Sequence, residues 1–139
     1  MEFEEIFTVH VQIGSSVHLK QRDGDSVTMI SFKGQVTGKF FEGEILDGGV
    51  DTQIIGGLGC RHTLSARYML EGKDHTGERC KIYIENNGNL NGSLKNAIFR
   101  SYPKVITDSK ALAFLNEDLL VAEGRSTESG VDIKIYRAL

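Results

Sequence analysis

Apolar and polar residues alternate along much of this chain. Phe7, Val9, Val11 and Ile13 are interleaved with Thr8, His10 and Gln12. Leu64, Ala66, Tyr68 and Leu70 are interleaved with Thr63, Ser65 and Arg67, and Met69 is the one apolar residue on the polar side. Ile82, Ile84 and Asn86 alternate with Lys81, Tyr83 and Glu85, and Val131, Ile133 and Ile135 with Asp132, Lys134 and Tyr136. A period of two places each set on one face of an extended chain, so each run predicts a half-buried β-strand. The runs 27–32, 38–46 and 119–122 are strand-like in content but less regular. Turn-forming residues separate them: Asp23-Gly24-Asp25, Gly48-Gly49, Gly56-Gly57, His75-Thr76-Gly77 and Asn86-Asn87-Gly88-Asn89.

Short strands spaced by such turns predict an all-β fold, either a sandwich or a barrel. Hairpin-length connections favour an antiparallel up-and-down barrel over a Greek key. Gly34, Gly38 and Gly43 interrupt central runs where a barrel must bend, and closure removes the exposed edges that a chain with one proline could not guard. At most one short helix is expected, near 108–115, with Asp108 or Ser109 as its cap and Leu112 and Leu115 facing inward. No linker, repeat or charge block divides the chain, so residues 1–139 are read as a single domain.

Composition narrows the function classes. The chain is 40% hydrophobic and 25% charged, ordinary globular usage, with a formal net charge of −3. A mildly acidic chain without a basic cluster is not expected to bind nucleic acid, which requires grouped Lys and Arg. Cys60 and Cys80 are too few for a disulfide scaffold or a structural zinc site and are read as two reduced, partly buried thiols, each opening a strand-like run. An acidic start without an apolar stretch predicts no signal peptide, and no window approaches a membrane span. The expectation is a soluble cytoplasmic protein.

The run from Phe32 to Asp51 resembles the DUF3237 family, also called UPF0311, of small uncharacterised proteins. Gly48-Gly49-Val50-Asp51, Ala66-Arg67-Tyr68, Asn86-Asn87-Gly88 and Leu115-Asn116 match that family's motifs in order, so the resemblance spans about residues 7–139. It implies a small antiparallel β-barrel and brings no established activity. One departure stands out: many members carry a tryptophan after the Asp of the Gly-Gly-x-Asp turn, where this chain has Thr52 and no Trp anywhere. If that aromatic lines a pocket, the pocket here is more open, or is filled by Phe40, Phe41 or Ile54.

Four residues are candidates for chemistry. Asp51 either closes the glycine turn through its own backbone bonds or stands at a barrel mouth as a ligand anchor or general base. Arg67 falls on the polar side of its strand, with Asp51 as its expected partner. Tyr68 faces inward, where its hydroxyl needs a partner or lines a pocket. Asn86 continues the inward face of Ile82 and Ile84, so its amide either closes the Asn-Asn-Gly turn or points into a cavity. His10, His18, His62 and His75 show no ligand spacing and are read as exposed or turn residues, and no metal or cofactor is expected. Serines lack a nucleophile elbow, and the glycine-rich 55–59 run lacks the ending of a phosphate loop.

The leading expectation is a barrel that binds a small organic ligand in its interior or mouth through Asp51, Arg67, Tyr68 and Asn86. One alternative is a cofactor-free isomerase or cyclase with Asp51 as base and Tyr68 as acid. Another is a solid barrel with a structural or interaction role. A monomer or homodimer is expected, with Phe3, Phe7, Phe40 or Phe41 as a dimer patch.

Overall fold

A computed structural model describes residues 1–57 and 61–139. Ten strands form one antiparallel sheet: β1 Phe3–Lys20, β2 Ser26–Thr37, β3 Phe41–Ile45, β4 Val50–Ile55, β5 His62–Asp74, β6 Arg79–Asn89, β7 Phe99–Ser101, β8 Lys104–Thr107, β9 Leu120–Ser126 and β10 Gly130–Ala138. Two pairs of these are halves of one strand path. β3 and β4 both lie between β2 and β5, β3 along one half and β4 along the other. β7 pairs with β9 and β8 with β6, on either side of a break at Tyr102-Pro103. Eight strand paths thus follow one another as a meander, and β10 returns to β1. The expected up-and-down barrel is the architecture found.

The glycine pair 48–49 does not reverse the chain as a turn would. It sits in a bulge between β3 and β4, and Gly48 takes φ 104°, a conformation costly for any residue with a Cβ. Where β3 crosses β5, Gly43 faces Gly72, and a Cβ on Gly72 would collide with the Glu42 carbonyl oxygen. A second bulge, in β1, inserts Ile6 between the pairs Glu5↔Tyr136 and Phe7↔Ile135, so that Ile6 and Phe7 are both fully buried. Asn86-Asn87-Gly88 is not a turn either: β6 runs through it to Asn89.

Alternation reads correctly inside the barrel. Val9, Val11, Leu64, Ala66, Tyr68, Leu70, Ile82, Ile84, Ile133 and Ile135 are all buried. One end is solidly packed, with Phe7 against Phe41 at 5.8 Å and Leu70, Ile82, Leu112 and Leu115 beside them in the core. The helix near 108–115 is a single 3-10 turn, Ala113–Asn116, displaced toward the C-terminal side of that window. Ser109 accepts the Leu112 amide at 3.1 Å, and the Asn116 side chain accepts the Thr107 amide at 2.8 Å, which ties this cap to β8. Phe7 and Phe41 are buried and cannot form a surface patch; of the four phenylalanines considered for one, Phe3 alone is exposed.

Candidate functional site

At the opposite end the core opens into a cavity of about 80 Å³. At about 15 Å³ for each water, that is room for roughly five waters or a ligand of similar size. Its walls are mostly apolar, including Val11, Phe32, Leu64, Phe99 and Ile133, and four polar side chains interrupt them: Asp51, Gln53, Tyr68 and Asn86. Three of the four residues singled out from the sequence therefore converge on one cavity.

Tyr68 is deeply buried. It is 3% exposed, its ring packs edge-on to Phe32 at 5.2 Å, and its hydroxyl has no hydrogen-bond partner among the described residues. Two other buried polar atoms, on Glu4 and Arg137, also lack a well-aligned bond, but they face each other as an ion pair at 2.8 Å. Burial drives the Tyr68 phenol pKa well above its ordinary range, so it remains a neutral O–H donor. Asn86 is 1% exposed, and its side-chain oxygen accepts the Ser101 hydroxyl across to β7. The amide nitrogen is what it has left to offer the cavity.

Asp51 occupies the rim. Its carboxylate accepts the Gln53 side-chain amide at 2.8 Å and the Ser65 backbone amide at 3.2 Å. The Gln53 oxygen in turn meets the His62 Nε2 at 2.7 Å. With Nε2 as the donor, His62, Gln53 and Asp51 form a hydrogen-bonded chain along β4 and β5. His62 was not a site candidate by spacing, yet the inward alternation of Leu64, Ala66 and Tyr68 extends back to it by one step of two.

Arg67 does not join this group. The register pairs Asp51 with Ala66 and Arg67 with Val50, and neighbours along a strand face opposite sides of the sheet. Arg67 is on the outer face, its side chain 62% exposed, 3.7 Å from Glu85, which also accepts the Tyr83 hydroxyl. An exposed pair of this kind contributes little. Thr52 pairs with Ser65 on the same outer face, so a tryptophan there would not line the cavity, and none of Phe40, Phe41 and Ile54 fills it. Cys80 is buried at the packed end, where burial first and then the Asp74 and Asp108 charges raise its thiol pKa. Cys60, its supposed counterpart, lies outside the described residues, as do Leu58 and Gly59 of the 55–59 glycine run.

The profile of DUF3237, a family of proteins of unknown function, matches residues 1–138. The chain belongs to the DUF3237 family. A UPF0311 protein of Clostridium acetobutylicum is 36% identical over 90 residues, 63% of this chain and 54% of that protein, so the match spans about half of that relative's length. A β-barrel-like protein from Acinetobacter baumannii superposes with TM-score 0.81 at 21% identity, covering 98% of this chain and 94% of its own. An enzyme from Penicillium herquei superposes with TM-score 0.71 at 14% identity, covering 98% and 92%. These last two likenesses concern the fold. In this DUF3237 barrel, no helix among the described residues is long and apolar enough to cross a membrane.

Proposed function

We propose that this DUF3237 protein binds a small, neutral, largely apolar molecule carrying a carbonyl or similar acceptor in the open end of its barrel. The observation that carries this reading is the unpartnered Tyr68 hydroxyl inside an apolar cavity. A buried hydroxyl without a bond costs about 1–3 kcal/mol, a cost that a ligand acceptor would remove. The Asn86 amide supplies a second donor to the same acceptor, while the Asp51 carboxylate at the rim favours a ligand hydroxyl or acidic C–H on that side. Anionic ligands are disfavoured, because no Lys or Arg among the described residues lines the cavity and Asp51 stands at its rim.

Cyclopentanone, with about six heavy atoms, suits a cavity of this scale and serves as the probe. Titration followed by amide NMR is expected to shift Tyr68, Asn86 and Asp51 together and to leave the packed end unmoved. Shifts scattered over the surface, or none up to the probe's solubility, would defeat the reading.

A second reading makes the same site catalytic, in a cofactor-free isomerisation or cyclisation. It is favoured by the placement of a hydrogen-bonded chain, His62–Gln53–Asp51, ending in the Asp51 carboxylate at the rim of the cavity that also holds a neutral phenol donor. Asp51 would take a proton α to the carbonyl, and Tyr68 would donate its hydrogen bond to the oxygen as charge develops there. Exchange of the ketone's α-protons in D2O, followed by NMR, separates the two readings. Enzyme-dependent exchange that Asp51→Asn abolishes while binding persists is the catalytic result. Binding without exchange leaves a binding protein.

A further inference from the structure

β1 outruns its neighbour on one side. Pairing with β10 stops at Gln12↔Gly130, followed by one bond from the Ile13 amide to the Ser129 carbonyl at 3.1 Å. Pairing with β2 continues to Lys20↔Ser26. Residues 14–20 therefore present a backbone edge with no strand beside it among the described residues. Proteins usually guard such an edge with Pro or charged side chains, since its free N–H and C=O groups template another strand. Residues 14–19, Gly-Ser-Ser-Val-His-Leu, contain neither a proline nor a Lys, Arg, Asp or Glu.

The outer face of the same hairpin is apolar. Val17 stands opposite Met29, Leu19 opposite Val27, and Val27 opposite Ile54. Val17, Leu19 and Met29 are 66%, 62% and 45% exposed. An edge guarded only by Lys20 at its tip and a bulge between Ile13 and Ser16, beside an exposed apolar stripe, calls for a strand that brings its own apolar stripe to the same face.

We propose that residues 14–20 pair antiparallel with the same segment of a second copy of this chain, extending one sheet across two barrels. Antiparallel self-pairing is reciprocal about a two-fold axis, the commonest symmetry of protein dimers. It satisfies both edges at once and puts Val17 and Leu19 of each copy on one shared face. The two apolar stripes then join into one, and no Lys, Arg, Asp or Glu within 14–19 is brought against a like charge. The inner face of this hairpin carries Ser16, His18 and Thr28, with the His18 ring hydrogen-bonded to both hydroxyls at 3.2 and 3.0 Å. Pairing would also hold that wall of the barrel mouth. The proposal does not depend on what the cavity binds.

Light scattering on the eluting full-length protein at tens of micromolar is expected to give about 31 kDa, twice the chain mass of 15.4 kDa. The double substitution Val17→Lys with Leu19→Lys sets four like charges across the joint and is expected to return the mass to 15.4 kDa with unchanged circular dichroism. Amide hydrogen exchange of the wild-type protein needs no variant and decides the matter if the double variant fails to fold. Residues 14–20 should exchange more slowly by about tenfold or more at high than at low concentration. A monomer whose exchange ignores concentration overturns the proposal, leaving the edge to some other strand. So does a dimer that survives the double substitution with residues 14–20 exchanging freely.

Discussion

The two ends of this barrel are built from the same strands and solve opposite problems. At one end Phe7, Phe41, Leu70, Ile82, Leu112 and Leu115 fill the interior under the 3-10 turn. Its buried carboxylate, Asp74, takes bonds from the Thr76 and Ser109 hydroxyls and from the Thr76 and Glu78 amides. At the other end, β1, β2, β4 and β5 carry the wall past the core, leaving a cavity with a phenol that nothing satisfies. Polar groups are buried at both ends, but the packed end pairs its own, Asp74 through hydrogen bonds and Glu4 with Arg137 as an ion pair, whereas the Tyr68 hydroxyl at the other end has no partner among the described residues. The difference separates groups kept for stability from groups held ready for something that arrives later.

The strongest way to break that comparison is to hollow out the packed end. Phe41→Ala is expected to lower unfolding free energy by about 3–5 kcal/mol in urea denaturation, while cyclopentanone still shifts the amides of Tyr68 and Asn86 under native conditions. Loss of probe binding in a folded variant would show that the ends are not independent. Next comes Asp74. Its hydrogen bonds, those from Thr76 and Ser109 foremost, outweigh burial and hold the carboxyl at about 2, below the ordinary 3.8. Its contribution is therefore complete above about pH 4 and is lost as pH falls toward 2. Asp74→Asn should lower the melting temperature at neutral pH and make it fall less steeply with acid than the wild type. Parallel acid profiles would remove Asp74 from the account of why this end is stable.

Alternation made much of this legible in the sequence. A period of two states which residues share a face, and it correctly sent Tyr68 and Asn86 inward and Arg67 outward. It does not state which residue stands across the ladder, because register depends on bulges. The one at 46–49 pairs Asp51 with Ala66, which removes Arg67 from its expected partner. Gly48 and Gly49 looked like a chain reversal because glycine serves a bulge and a turn by the same freedom of φ. β7 and β8 were not foreseen: three and four residues around Tyr102-Pro103 are too short to show a period, and only their place between β6 and β9 makes them strands. The rim chain of His62, Gln53 and Asp51 was partly legible. His62 lies one step of two before Leu64, already placed inward, but no alternation is read for β4, and the placing of Asp51 and Gln53 and the hydrogen bonds between the three follow from the β4–β5 register.

The smallest expected effect is the most discriminating, because its sign differs between the ends. Removing a buried hydroxyl that has a partner, as Ser109→Ala would do beside Asp74, lowers stability by about 1 kcal/mol or more. Tyr68→Phe removes one that has none. The ring, its edge-on contact with Phe32 and the apolar wall all remain, while the desolvated oxygen is gone. Stability in urea should therefore hold or rise, by up to about 1 kcal/mol. Cyclopentanone affinity should fall by about five- to tenfold, the loss of one hydrogen bond of about 1 kcal/mol or slightly more. A loss of stability would mean that the hydroxyl is already satisfied in the free protein. The cavity would then be a packing defect at the mouth of the barrel rather than a site waiting for an acceptor.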